Sequence, residues 1–518
     1  MRYIEVIERL TEIEAKLDVN SFWIDGVQVW PIVRMQLWPF LLSSEISIAD
    51  GSSLAAIASP IQGQGGRVSQ WPRFRSLFDR PKLNAKAADI LCFSRIIDHT
   101  ENFSTGKIDR IIDPVVWLAR RNGFSVSKIS ATPNNATNIG HQLEPSLFFD
   151  IDHFFRQANH KEPQGILTPL LEEIEKYLGP TPVNHSTIVS AVRAINDRAR
   201  LFRVILKKIS PKVVFLGVFY SAEATALTFA CRRLGIPVVD VQHGKQGLYE
   251  PMYGYWSVIP ENGYSILPDY FWQWGGASVR QTASTLPEKT NRPAPIVGGN
   301  LWMGAWRQSK SGRLSPEPAR LFSRLKTAKK RILITLQTFE NPLLESWRDA
   351  MARAPADWLW LVRLHPHRRA VDSPAIISIL NVLGVSSYDI DDASAAPLYP
   401  LLAECDLLVT AFSSVAYEAH AFGIPAVVMH ANARELYAAD LQEGIFHFAE
   451  TADELLALAE AAPDLPRIRS KEPYIEVDKH LADEALAQIL NNGSRKSRQH
   501  HRPRNSESRP KSDSRPPA

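Results

Sequence analysis

From Tyr3 to Leu17 the apolar residues fall at Ile4, Ile7, Leu10, Ile13 and Leu17, with acids and an arginine between them. That spacing predicts a helix with one buried face. A second apolar stretch follows, from Phe22-Trp23-Ile24 through Trp30-Pro31-Ile32-Val33 to Leu37-Trp38-Pro39-Phe40-Leu41-Leu42. Its tryptophans fit either a helical prelude packed on the main body or an anchor at a membrane interface. Residues 48–80 are rich in Ser, Gly, Gln and Pro and read as a linker. Short apolar runs then alternate with helical spacing. Strands are expected at 88–94, 123–129, 213–217, 236–241 and 270–274, and helices at about 108–121, 145–155, 185–209 and from Ser221 to Leu234. A proline-rich stretch at 282–330 reads as a domain junction. The alternation resumes with strands at 331–336, 358–364, about 385–388, 407–411 and 426–430. Helices are expected at 342–353, 397–404, 414–422, 452–462 and 478–490. Two such series predict an α/β chain with two doubly wound, Rossmann-like halves facing across a cleft. The expected limits are a helical prelude at 1–47, a linker at 48–81, a first domain at 82–285, a second at 286–492 and a disordered basic tail at 493–518.

With 518 residues, 45% hydrophobic and 22% charged, the composition is that of a globular chain. The three cysteines, Cys92, Cys231 and Cys405, make no disulfide framework. The net charge of +4 is unevenly placed. Residues 494–518 hold eight basic and two acidic side chains, so the tail carries +6 and the body −2. A near-neutral body carries no nucleic-acid signature. The tail fits either an attraction to anionic lipid or a solvated extension. No apolar run approaches the roughly 18–20 residues of a membrane span, and the acids among the first ten residues rule out a signal-peptide core. The expectation is a cytoplasmic protein, with the inner membrane surface as a candidate contact.

Candidate chemistry gathers at predicted strand ends. Arg363-Leu364-His365-Pro366 closes a strand, and Pro366 stops the ladder there, so His365 faces the expected cleft. An imidazole at that place can donate to a phosphate oxygen, with His367, Arg368 and Arg369 adding positive charge. Ser413 and Ser414 stand between a strand and a helix, where either can cap the helix and the exposed N–H groups suit a phosphate. Glu418 lies one turn on, where a carboxylate can take a ribose hydroxyl. Gln242-His243-Gly244 follows another strand: His243 is a candidate general base, and Gly244 permits a positive φ or a close backbone approach. Ser221 and Glu223 open a helix after a strand, and Asp98 and His99 follow a further one. Each cluster also has a purely structural reading, as a turn or a helix cap. Asp389, Asp391 and Asp392 read as a solvated loop. Val297-Gly298-Gly299-Asn300 lacks the Lys-Ser/Thr of a P-loop. No GxGxxG fingerprint, zinc spacing or GxSxG elbow is present.

Taken in order, Gln242-His243-Gly244, Gly299-Asn300, Arg363-Leu-His365-Pro366, Ser413-Ser414-Val, Glu418 and Gly423-Ile-Pro425 resemble one group. It is the bacterial surface-polysaccharide glycosyltransferases of GT-B fold, nearest the capsule polysaccharide biosynthesis proteins that act as Kdo transferases. The bacterial sialyltransferases and the CDP-glycerol glycerophosphotransferases are more distantly similar. The resemblance covers about residues 210–430. It implies a nucleotide-sugar donor, cytidine-linked, held by His365, Ser413, Ser414, Glu418 and Arg363, with no metal and no other cofactor. It implies a glycan or glycolipid acceptor in the first domain near Gln242, Gly244 and Asp98, and a base for which Glu223 and His243 rank above Asp98. The acidic pair before a glycine that serves the sialyltransferases as base has only Ile24-Asp25-Gly26 as a look-alike here. The alternatives are a CDP-glycerol-type glycerophosphotransferase, a nucleotide-sugar epimerase and a non-catalytic scaffold of a polysaccharide assembly complex.

Overall fold

The computed structural model describes residues 3–42, 86–95, 100–103, 106–132, 142–144, 146–150, 165–248, 250–288, 293–308, 318–337, 341–365 and 368–500. The expected linker at 48–81 and the candidate Asp98 lie outside them.

The strands, in chain order, are β1 (Trp23–Ile24), β2 (Val27–Gln28), β3 (Ile90–Ser94), β4 (Thr100–Phe103), β5 (Gly106–Asp109), β6 (Val126–Thr132), β7 (Leu147–Asp150), β8 (Val213–Leu216), β9 (Val238–Val241), β10 (Tyr270–Gln273), β11 (Ala294–Val297), β12 (Lys330–Thr335), β13 (Trp358–Arg363), β14 (Tyr388–Asp389), β15 (Leu407–Thr410), β16 (Ala426–Val428) and β17 (His447–Phe448). Two short antiparallel hairpins, β1–β2 and β4–β5, stand apart. The rest form two wholly parallel sheets. The first runs β11-β10-β9-β8-β3-β6-β7 and the second β14-β13-β12-β15-β16-β17. Counted by succession, each grows outward from its first strand on one side and then reverses to the other. Each therefore has a switch point, between β3 and β8 in the first sheet and between β12 and β15 in the second, where ligands bind beyond the carboxyl ends.

The strands are apolar on both faces because both are covered. Leu91 and Phe93 of β3 and Val214 and Leu216 of β8 pack with the helices His185–Ile209 and Ala222–Leu234. Ile90, Cys92, Val213 and Phe215 face the other way, toward the helix Asp113–Arg121 and toward Ala482, Ala485, Leu486 and Ile489 of the helix Lys479–His500. The last helix thus returns to the first domain after the second is complete, held there also by Asp483, which accepts from Arg121 at 2.6 Å and Asn122 at 2.7 Å. This is the GT-B architecture: two Rossmann-type domains across a cleft, with a helical amino-terminal prelude.

Several expectations shift. The helix expected at 145–155 begins instead as β7, since the short run Leu147-Phe-Phe-Asp150 is extended against β6. The stretch read as a junction contains β11, the edge of the first sheet, so that sheet extends past 285; Pro295 is tolerated because an edge strand leaves one row of N–H groups unpaired. The helix Lys479–His500 runs past 493, where the tail was expected to begin. The second apolar stretch of the prelude is the hairpin β1–β2 followed by the helix Val29–Leu42, whose positions 29–38 are all buried. Trp30 and Trp38 are core residues, and Trp23 alone of the three protrudes. Among the described residues no helix is long and apolar enough to cross a membrane.

The prelude is fastened by a buried ion pair. Glu14 accepts from Arg34 at 2.7 Å, Trp30 Nε1 at 2.6 Å, the Ser257 N–H at 2.7 Å and the Ser257 hydroxyl. Arg34 also donates to the carbonyls of Pro251, Gly254 and Tyr255 at 2.8–3.2 Å and lies 4.0 Å over the Trp256 ring. Both charged side chains are fully buried.

Candidate active site

The carboxyl ends of the two sheets meet. After β9 the chain turns through Gln242, His243 and Gly244; after β15 it turns through Phe412, Ser413 and Ser414. A Cβ placed on Gly244 would lie 3.6 Å from Ser414 Oγ. Gly244 has no positive φ, so of its two expected roles it is the close approach that the structure shows. Lys245 carries the contact further: its Nζ donates to the Leu436 carbonyl and lies 4.2 Å over the Tyr437 ring. Burial pushes its pKa down to about 7.

The second-domain wall is rigid. Thr410 Oγ1 donates to the Thr335 carbonyl at 3.0 Å, the Phe412 N–H donates to Gln337 Oε1 at 2.9 Å, and Tyr437 donates to the Phe412 carbonyl at 2.8 Å. Gln337, which the sequence did not single out, thereby spans the switch point. The seven-residue helix Val415–Ala421 follows, and Ser413 Oγ rather than Ser414 accepts from its first N–H, at 3.4 Å. Ser414 makes no side-chain cap, which leaves its hydroxyl on the Gly244 side. His365 is half-buried beyond the end of β13. The preceding Leu364 N–H donates to Ser394 Oγ at 3.0 Å, which fixes where the strand stops. His430, past the end of β16, was also missed. Its Nδ1 accepts from the Asn432 N–H at 3.1 Å, so the proton of a neutral ring sits on Nε2.

Other predicted contacts have different occupations. Arg363 donates to the carbonyls of Ala393 and Ala396 at 2.8 and 2.5 Å, and burial pushes its pKa down to about 10. Arg368 forks onto Asp372 at 2.7–2.9 Å, and Arg369 donates to the Ser394 carbonyl. These arginines brace the turn that carries His365. Glu418 is buried: it accepts from Tyr399 at 2.8 Å and stands 3.8 Å from Arg110 of the first domain, while Tyr399 accepts from Asn300 at 3.1 Å. Desolvation raises its pKa and Arg110 opposes the rise. The cavity beside it is about 10 Å³, far too small for a ribose. In this arrangement Glu418 links the domains through Tyr399 and Arg110.

Gln242 is also structural. Its Oε1 accepts from the Trp274 N–H at 2.6 Å and Ser278 Oγ at 3.2 Å, and its Nε2 donates to the Gly244 carbonyl at 2.8 Å and Tyr474 Oη at 3.3 Å. Tyr474, which no sequence signal marked, donates to the Gln246 carbonyl and accepts from its N–H at 2.8–2.9 Å; its ring stacks on Tyr417 of the second domain at 3.7 Å. The turn bearing His243 is thus held from both domains. His243 Nε2 is 3.4 Å from the Tyr220 hydroxyl. Tyr220 and Ser221 belong to the loop after β8, where Val218 has a left-handed φ of 56°. Such a conformation is costly for a β-branched residue, and buried Asp240 holds the loop by accepting from the Phe219 N–H at 3.0 Å. Burial lifts the Asp240 pKa to about 8. Ser221 caps the next helix through the Ala224 N–H, leaving Glu223 half-buried in its first turn.

The known proteins add one observation. No protein-family model and no curated protein matches the chain. Among solved structures it is similar to the UDP-GlcNAc 2-epimerase from Neisseria meningitidis, at 14% identity over 78% of this chain and 99% of that one, with a TM-score of 0.46. A putative UDP-N-acetylglucosamine 2-epimerase from Listeria monocytogenes gives 13%, 78%, 96% and 0.48 on the same measures. The glycotransferase of kitacinnamycin gives 16%, 80%, 96% and 0.40. The fold assignment rests on the two strand orders. Among the described residues no cluster of three His, Cys, Asp or Glu could hold a metal ion.

Proposed function

We propose that the chain is a glycosyltransferase that moves a sugar from a nucleotide-activated donor, CMP-linked and Kdo-like, to a capsule, lipopolysaccharide or related surface glycan. The observation that carries this reading is the approach of the His243-Gly244 turn to the Ser413–Ser414 loop at the second sheet's switch point. A switch point is where doubly wound sheets bind nucleotides, and an opposing domain with a base is what a second substrate needs.

The donor phosphate sits between His365 and the two serine hydroxyls. The acceptor hydroxyl attacks the anomeric carbon, the bond from that carbon to the phosphate oxygen breaks, and its electron pair leaves with CMP. Hydrogen bonds from His365, Ser413 and Ser414 stabilise the charge that grows on the phosphate. His243 accepts the acceptor proton, with Glu223 the second candidate. The transfer uses these donors in place of a divalent ion, and its rate stays unchanged on adding EDTA. The reaction belongs at the cytoplasmic face of the membrane.

Titration of the protein with CMP, CDP, UDP and GDP by calorimetry tests the reading. Selective CMP binding, weakened at least about tenfold in His365→Ala and in Ser414→Ala, is expected from the loss of one phosphate hydrogen bond, at roughly 1.5–3 kcal/mol. Selectivity for UDP or GDP removes the Kdo-like donor and keeps the transferase. Binding of no nucleotide refutes the site.

A further inference from the structure

A second charged cavity lies away from the cleft. It has a volume of about 390 Å³ and is lined by Arg193, Arg200, Arg203 and Arg233, with Asp25 its one carboxylate. Three of the arginines share a face of the helix His185–Ile209, at intervals of seven and three residues. Arg233 comes from the last turn of the helix Ala222–Leu234. That helix begins at the cleft, so Arg233 lies about 17 Å further along its axis.

The pocket is shaped by the prelude. Asp25 and Gly26 both have positive φ, 48° and 77°, as a tight Asp-Gly hairpin turn requires. A Cβ on Gly26 would come 2.6 Å from Arg233 Nη2, so the guanidinium lies directly against the turn. Asn196 Nδ2 donates to the Asp25 carbonyl at 3.5 Å and closes the same corner. Beyond the pocket, Asp197 pairs with Arg200 at 3.4 Å. The larger 600 Å³ cavity behind the helix Val415–Ala421 also holds four arginines, but Asp440, Glu443 and Glu472 balance them. At the hairpin pocket Asp25 and the Asp197 paired with Arg200 stand against four arginines, which leaves it the more positive of the two.

Two exposed apolar residues neighbour its lining along the chain. Trp23, two residues before the hairpin tip, is 46% exposed, and Val204, next to Arg203, is 50% exposed. Converging guanidiniums favour a phosphate oxyanion, which they take in bidentate pairs. A protruding indole with an adjacent aliphatic residue favours the boundary between headgroups and acyl chains.

We propose that this pocket binds the phosphate of an anionic lipid headgroup and seats the first domain on a membrane surface, with Trp23 and Val204 entering the interface. The proposal is independent of the donor reading, since none of its residues lies in the cleft.

The test uses the full chain and its Arg200→Gln/Arg233→Gln variant. Both residues are exposed and should be replaceable without unfolding, which an unchanged melting profile verifies. Sedimentation with vesicles of phosphatidylcholine alone, or with one-third phosphatidylglycerol, gives the partition coefficient. The parent should prefer the anionic vesicles, and the variant should lose about 30-fold of that preference, the effect of two basic side chains near an anionic surface. Arg200→Lys/Arg233→Lys keeps the charge without the fork and should restore only part of it. The basic tail is common to all three proteins, so the difference isolates the pocket. A parent without anionic preference, or a variant that partitions like the parent, overturns the proposal. Inorganic phosphate binding that the variant loses, without any vesicle preference in the parent, assigns the pocket to a soluble anion and also overturns it.

Discussion

Replacing Arg34 by alanine should unfasten the prelude from the first domain. Arg34 makes the ion pair with Glu14 and donates to three carbonyls of the 251–255 segment. The substitution leaves a buried carboxylate without its counter-charge and three carbonyls without a donor. Removing one member of a buried pair costs about 3–5 kcal/mol. Glu14→Gln removes the charge and keeps one acceptor, for Trp30 on one side or Ser257 on the other, while its NH2 faces the remaining donors, so about 1.5–3 kcal/mol is expected. Glu14→Gln with Arg34→Ala should cost less than the two single losses together, by at least about 1 kcal/mol, because neither charge is then stranded. Urea unfolding followed by tryptophan fluorescence measures all of these. A parallel drop in activity is expected, since the 251–255 segment continues from the turn that carries His243. A loss below about 1 kcal/mol in Arg34→Ala, with an unchanged m-value, would refute the reasoning: water would then be solvating Glu14, and the prelude would be held by apolar contacts alone.

Asp240 gives a pH prediction. Its folded pKa of about 8 lies above its ordinary value of 3.8, so the folded state holds a proton that the unfolded state releases. Stability from this group is therefore full below about pH 4 and falls as pH rises toward 8. Asp240→Asn keeps an acceptor for Phe219 and should flatten that decline, by up to about 1.4 kcal/mol per pH unit, as read from melting at pH 5, 6.5 and 8. Tyr474→Phe keeps the stacking on Tyr417 but removes the bonds to Gln246 and Gln242. A loss of about 1–3 kcal/mol and a weaker acceptor KM with unchanged nucleotide affinity are expected from steady-state kinetics and calorimetry.

Much of this fold was legible because parallel strands buried on both faces read as short apolar runs. Val213–Leu216, Leu407–Thr410 and Lys330–Thr335 fall where the pattern put them. Capping made the helix Ala222–Leu234 legible too, with Ser221 before it and Gly235 after it in the left-handed conformation. β7 and β11 were lost for physical reasons: a run of only three apolar residues, Leu147-Phe-Phe, fits either element, and prolines beside Ala294 argue against a strand unless the strand is known to be an edge. At the cleft, the order of motifs located the loops but not the work of each side chain. Gln242, Arg363 and Glu418 have the chemistry of ligands, and their partners come from positions as far in sequence as Tyr474, Ala396 and Arg110. No local spacing carries that information. Tyr474 and Gln337 escaped for the same reason.

The return of the helix Lys479–His500 sets an order in time. Ala482, Leu486 and Ile489 cover a face of the first sheet, but about 180 residues of the second domain are translated before them. At roughly 5–20 residues per second that interval lasts about 10–40 s. Throughout it that face is covered by the helix Asp113–Arg121 alone. The first domain to emerge is the last to be finished, and a nascent chain stalled before Lys479 presents the part of that sheet face left uncovered by the helix Asp113–Arg121 to chaperones.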